Sequence, residues 1–135
     1  MRLWHQKLIP YLDRQRLLGQ HRECAALRGA GWGRKHSTVD YVFKYDPIWL
    51  DVYHWFVMEE MIKRGYHPDP IWNNPNYRGK TLGEQPGWAN LSLLINYPKD
   101  EMIYKEHDDK YLQECLDILA NKGVVISMEE NNGHK

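Results

Sequence analysis

DRQRLLGQHRECAALRGAGWGRK, residues 13–35, sets the frame in which the rest of the chain is read. Leu17, Leu18, Cys24, Ala25 and Leu27 recur there at helical spacing, giving one apolar side. Asp13 suits an N-cap, where a carboxylate accepts backbone N–H bonds, and Gly29 suits a C-terminal stop. Around this helix lie Arg14, Arg16, Arg22, Arg28, Arg34 and Lys35, against only two acids, Asp13 and Glu23. A carboxylate held in such a basic field is a group that a nucleic-acid enzyme uses. An ordinary glutamate on a solvated basic helix fits the same pattern.

Charge is divided along the chain. The formal net charge of the 135 residues is +0, but residues 1–44 hold nine Lys/Arg and three Asp/Glu, while residues 45–135 hold nine and fifteen. A basic face carried by the N-terminal third is the expectation. The length fits one domain with a real core, here residues 1–135. Two cysteines, Cys24 and Cys115, form no metal or redox motif and read as buried reduced thiols, which points to a cytoplasmic protein. No apolar run approaches membrane-spanning length, and residues 1–12 lack a signal-peptide core.

Outward from the basic helix, MRLWHQKLIPYL places Trp4, Leu8, Tyr11 and Leu12 along one side of a short helix that Pro10 would kink or break. On the other flank, GAGWGRKHST is too glycine-rich for regular structure. Gly29, Gly31 and Gly33 alternate without the strand and helix of a nucleotide loop. A basic loop that brings its backbone, Arg34, Lys35 and His36 to a phosphate strand fits better. TVDYVFKY (38–45) is open between a short strand and an approach to the next helix. Asp46-Pro47 then starts the strongest helix, IWLDVYHWFVMEEMIKRG, apolar on most sides through Ile48, Leu50, Val52, Trp55, Phe56, Met58 and Ile62 and ended by Gly65. Tyr53, His54 and Trp55 in it have the look of a site, but an aromatic stripe at this spacing is ordinarily core.

Residues 66–100 contain five of the seven prolines, which excludes long regular elements. Trp72, Tyr77 and Trp88 there can pin an ordered loop to the core or stack on a base, and a short apolar patch, LSLLI, interrupts it. DDKYLQECLDILANKG from Asp108 is a third helix, acids first and Lys122-Gly123 last. VVISM reads as a terminal strand and NNGHK as a disordered tail. The expected fold is mostly α, with about three main helices and long irregular Pro/Gly/Asn-rich loops.

Gln15-Arg16-Leu17-Leu18, Arg22-Glu23, the basic loop and Glu60-Met61-Ile62-Lys63-Arg64-Gly65-Tyr66 together resemble the phage-type pyrimidine-dimer DNA glycosylase (endonuclease V) family. The opening MRLWHQ, the GQHREC segment and the PNYRGK segment are similar to its small bacterial relatives. The resemblance implies a compact helical fold with glycosylase and abasic-site lyase activities on damaged duplex DNA. It implies that a chain-terminal α-amine attacks the sugar and that Glu23 assists. Arg22 and its neighbours would hold phosphates, a set that includes Arg2, Arg16, Arg28, Arg34, Lys35 and His36. Because Arg2 is too bulky for removal of the initiator residue, the amine is that of Met1. No cofactor or metal is implied, and the expected state is a monomer bound to duplex DNA carrying damaged bases or abasic sites.

The chemistry accounts for these residue types. An amine must be unprotonated to form a Schiff base at C1′. Terminal α-amines ordinarily titrate near pH 8 and lysines near 10.4, so a terminus offers a free base hundreds of times more often at neutral pH. A nearby carboxylate can stabilise the cationic sugar and move protons during elimination. A non-catalytic nucleic-acid-binding or protein-interaction module on the same scaffold is the alternative.

Overall fold

A computed structural model describes residues 1–97 and 101–128. The architecture is helical, with no strand among the described residues and one isolated bridge between Tyr77 and Glu84. Three long helices dominate: α1 (Arg14–Arg28), α2 (Pro47–Lys63) and, after the four-residue α3 (Gly79–Leu82), α4 (Asp109–Asn121). Short 3-10 segments at Gln6–Tyr11, Asp40–Lys44, Pro70–Asn73 and Leu91–Asn96 connect them.

α2 starts as its sequence dictates: Asp46 accepts from the Ile48 N–H at 2.9 Å with Pro47 at the first position. Gly65, at φ +91°, turns the chain away beyond its end. Leu50, Tyr53 and Val57 of α2 share one core with Leu17, Cys24 and Leu27 of α1, Cys115 and Leu119 of α4, and Leu3 and Leu8 of the N-terminal segment. Both cysteines are free and buried. Ile62 departs from the apolar expectation and is 63% exposed.

Several local expectations are corrected. Asp13 occupies the N-cap position of α1, but its carboxylate makes no cap bond and instead takes the Arg16 guanidinium at 3.2 Å. Gly29 does end α1, as expected, at φ −91° rather than in a left-handed turn. A Cβ there would sit 3.0 Å from the Arg78 carbonyl oxygen, a tight contact that glycine avoids. Pro10 breaks nothing, because the N-terminal segment forms a 3-10 rather than an α-helix around it. TVDYVFKY resolves into the 3-10 segment Asp40–Lys44. VVISM is not a strand: among the described residues no second segment pairs with it, and Val124, Ile126 and Met128 pack half-buried against the core instead. The expected disordered tail, residues 131–135, lies outside the described residues.

Two arginines bind the proline-rich region to this scaffold. Arg28 is fully buried, ion-paired through Nε to Asp51 Oδ1 at 2.9 Å, and donates to the carbonyls of Trp72 (2.9 Å), Asn74 (2.6 Å) and Tyr77 (3.0 Å). Burial drives the Asp51 carboxyl upward and Arg28 pulls it back. A guanidinium keeps its proton, so the ion pair is the state that leaves neither charge stranded. Arg78 donates back to the Arg28 carbonyl (2.7 Å) and the Gly29 carbonyl (3.0 Å), capping α1 from the far side, with Trp88 stacked 4.5 Å from its guanidinium. The PNYRGK segment thus has a structural task.

Candidate active site

The N-terminal segment lies along α1 and is fastened to it by side chains. Gln20, one turn before Glu23 on the same helix face, accepts the Trp4 N–H at 2.7 Å and donates to the Arg2 carbonyl at 2.8 Å. The same carboxamide donates to Glu23 Oε2 at 3.1 Å, and the Arg2 N–H reaches that oxygen at 3.3 Å. From α4, Tyr111 donates to the Leu3 carbonyl at 2.5 Å, and Arg2 reaches Glu114 at 2.9 Å. Thr38 donates to the Met1 carbonyl and makes a 2.8 Å bond with His36 Nδ1. Because the threonine proton is used on Met1, His36 donates from Nδ1.

These fastenings bring Met1 and Glu23 to one open concavity of about 330 Å³, lined also by Arg2, Trp4, His36, Thr38, Ile118 and Lys122. A second concavity, about 260 Å³, lies on the other side of Glu23 and is lined by Gln15, Arg16, Gly19 and Arg22, with Trp4, Glu23 and Lys122 common to both. Six of the nine expected site residues therefore line one or both concavities: Met1, Arg2, Arg16, Arg22, Glu23 and His36. His36 joins the first concavity, while Arg34 and Lys35 are exposed on the loop beside it and line neither.

Arg28 is the residue that departs from the phosphate-binding expectation. With no exposed surface, one carboxylate and three carbonyls around its guanidinium, it has no donor to offer DNA. Arg2 is also engaged, its guanidinium bonded to Glu114 and Tyr111, and these partners raise its basicity against the opposing effect of burial. Lys122 escaped the sequence reading. Its only signal was its place at the C-terminal end of α4, which is ordinarily a helix-dipole position. Gln20 gave no signal, and Tyr53, which has the look of a site within its aromatic stripe, read as core.

A histidine pair, His54 buried and His21 half-buried, joins α1 to α2. Arg28 can only donate, so His54 accepts through Nδ1 (3.1 Å) and passes its Nε2 proton to His21 Nδ1 at 2.8 Å. Burial, with Arg28 and His21 nearby, holds His54 well below its usual range, and burial with Arg22 and Arg28 lowers His21. Both rings are neutral donors and acceptors in a fixed network. Among the described residues, no three His, Cys, Asp or Glu side chains converge as a metal set.

Residues 1–74 match the family of pyrimidine dimer DNA glycosylases, and the chain belongs to that family. The matched span covers the N-terminal segment, α1, the basic loop and α2, hence all of the site except the α4 contributions. Searches of curated proteins and of solved structures return no match. No helix among the described residues is long and apolar enough to cross a membrane.

Proposed function

We propose that this DNA glycosylase family member is also an abasic-site lyase that works through a Schiff base on the α-amine of Met1. The observation that carries the proposal is the shared concavity of Met1 and Glu23, with Glu23 Oε2 held by the Arg2 N–H and Gln20. The unprotonated amine attacks C1′ of the damaged nucleotide and the glycosidic bond to the base breaks. The sugar ring opens as the C1′–N imine forms. Glu23 stabilises the cationic sugar and takes the C2′ proton, and the 3′ phosphate departs as the C2′–C3′ double bond forms. Arg16, Arg22 and Lys122 border the carboxylate, and Arg34 and Lys35 extend the basic surface along the loop. The protein acts as a single-domain monomer on duplex DNA with damaged bases or abasic sites.

The test uses duplexes carrying one pyrimidine dimer or one abasic site, with borohydride present. A reduced protein–DNA cross-link that mass spectrometry maps to Met1, together with nicking, is the expected result. An uncleaved N-terminal extension should abolish both and leave salt-sensitive binding intact, because it moves the amine without touching the basic surface. A cross-link at Lys35 or Lys122, or full nicking by the extended protein, would sink the mechanism. Binding with no nicking by the unextended protein would favour a non-catalytic module.

A further inference from the structure

We infer that Gln20, seated by Tyr53, is the positioning residue that sets the register between the N-terminal segment and Glu23. The inference rests on the Schiff-base reading and deepens it. Gln20 is 1% exposed and all of its bonding capacity points one way. Its Oε1 accepts the Trp4 N–H at 2.7 Å and its Nε2 donates to the Arg2 carbonyl at 2.8 Å and to Glu23 Oε2 at 3.1 Å. The Trp4 N–H needs an acceptor, which fixes the amide orientation. Tyr53 of α2, fully buried, stands 2.8 Å from the same Oε1 and 2.6 Å from the Trp4 carbonyl, sharing its one proton between them.

One carboxamide therefore grips residues 2 and 4 of the segment and the carboxylate of residue 23 at once. Sliding the segment by one residue would forfeit both backbone bonds and leave a buried amide unsatisfied, which is costly. The same bond determines which oxygen of Glu23 can act. Oε2 is held by Gln20 and by the Arg2 N–H, whereas Oε1 has no hydrogen bond among the described residues and remains for substrate. Gln20 touches no reacting atom; it acts through Glu23 and through the backbone that carries Met1. A buried glutamine that merely satisfies its own polar atoms would fit the burial alone. It would have no reason to join the nucleophile's segment to the acting carboxylate.

Gln20→Glu separates the two roles, because it keeps size and the Trp4 bond but sets a second carboxyl beside Glu23 Oε2. Two carboxyls at that separation share a proton, so one is held protonated to higher pH. Steady-state nicking of an abasic duplex should show the acid limb of kcat moved up by about one pH unit or more, with KM unchanged because the basic surface is untouched. Gln20→Ala frees the segment and should lower kcat and borohydride trapping about a hundredfold, the scale of a small misplacement of reacting groups. Tyr53→Phe should lower both about tenfold while leaving the acid limb in place. Circular dichroism melts accompany each variant. If Gln20→Ala does not fold, Gln20→Glu and Tyr53→Phe decide. A folded Gln20→Glu protein with the wild-type pH profile and kcat overturns the inference. Wild-type protein that neither nicks nor traps overturns the Schiff-base reading and this inference with it, and that outcome is recognised before any variant is made.

Discussion

His107→Asn should weaken the protein at neutral pH yet leave it nearly as stable as the wild type at pH 5. His107 is 2% exposed, and its Nδ1 accepts the Gln6 N–H at 3.0 Å. Its one ring proton is then on Nε2, 2.6 Å from the Tyr41 hydroxyl. A second proton on Nδ1 would face the Gln6 N–H head on. Burial, reinforced by His5 stacked 5.3 Å away, pushes His107 down to about 3, against about 6.5 in an unfolded chain. Below pH 6.5 the unfolded chain therefore takes up a proton that the folded ring refuses. Stability is lost as pH falls through that window, at about 1.4 kcal/mol per pH unit, or about 2 kcal/mol between pH 7 and pH 5. Asparagine keeps an acceptor for Gln6 but gives up the Tyr41 bond and ring packing, a loss of about 2–3 kcal/mol at pH 7. Urea unfolding of both proteins at pH 7, 6 and 5 reads the difference, and subtraction removes every other titrating group. A wild-type-minus-variant gap that is the same at pH 5 and pH 7 would refute the reasoning.

Glu23→Gln should fold and bind DNA normally but lose about a hundredfold or more in strand cleavage, since it removes a proton carrier without changing size; retained cleavage in a nicking assay counts against the assignment. Arg22→Ala and Lys122→Ala should each weaken duplex binding and lower the slope of log K against log salt by about one, read by fluorescence anisotropy across salt concentrations. Unchanged slopes would remove both residues from the footprint. Asp51→Ala strips the counter-charge from buried Arg28 and should destabilise the fold by about 3–5 kcal/mol, measured by thermal or urea unfolding, whereas an unchanged midpoint would mean that the pair is not what holds the loop.

The three long helices were legible because their signals are local. Asp46-Pro47, the periodic leucines and the Gly65 and Gly123 stops act within a turn or two of the residues they order. Asp108 likewise caps α4 through the Tyr111 N–H at 2.8 Å. Where the outcome depended on distant partners, the sequence was silent. Arg28 has the same letter as Arg22, and its burial follows from Asp51 and from carbonyls 44 to 49 residues further on. VVISM has strand-forming residues, but a strand exists only with a partner, and the fold supplies none among the described residues. In the site, Met1, Glu23, Arg16 and Arg22 could be named from pattern and resemblance, since they lie in or beside one helix. Lys122 and Tyr53 reach the same spot from other elements, and Gln20 had no neighbour in sequence to betray its grip on residues 2 and 4.

The fastening of the N-terminal segment also has an order in time. Gln20, Glu23 and Tyr53 hold one side of it, but Ile103, His107, Tyr111 and Glu114 hold the other, across separations of 97 to 112 residues. Of these 135 residues, the first to leave the ribosome are thus among the last to be fully tied down. Until α4 has been made and docked, the segment that carries Met1 lacks half of its anchors, and an unfinished chain holds the proposed nucleophile without the frame that aims it. On the proposed mechanism, chemistry at this site would thus be tied to completion of nearly the whole described structure, although most of the residues around the carboxylate are encoded in its first quarter.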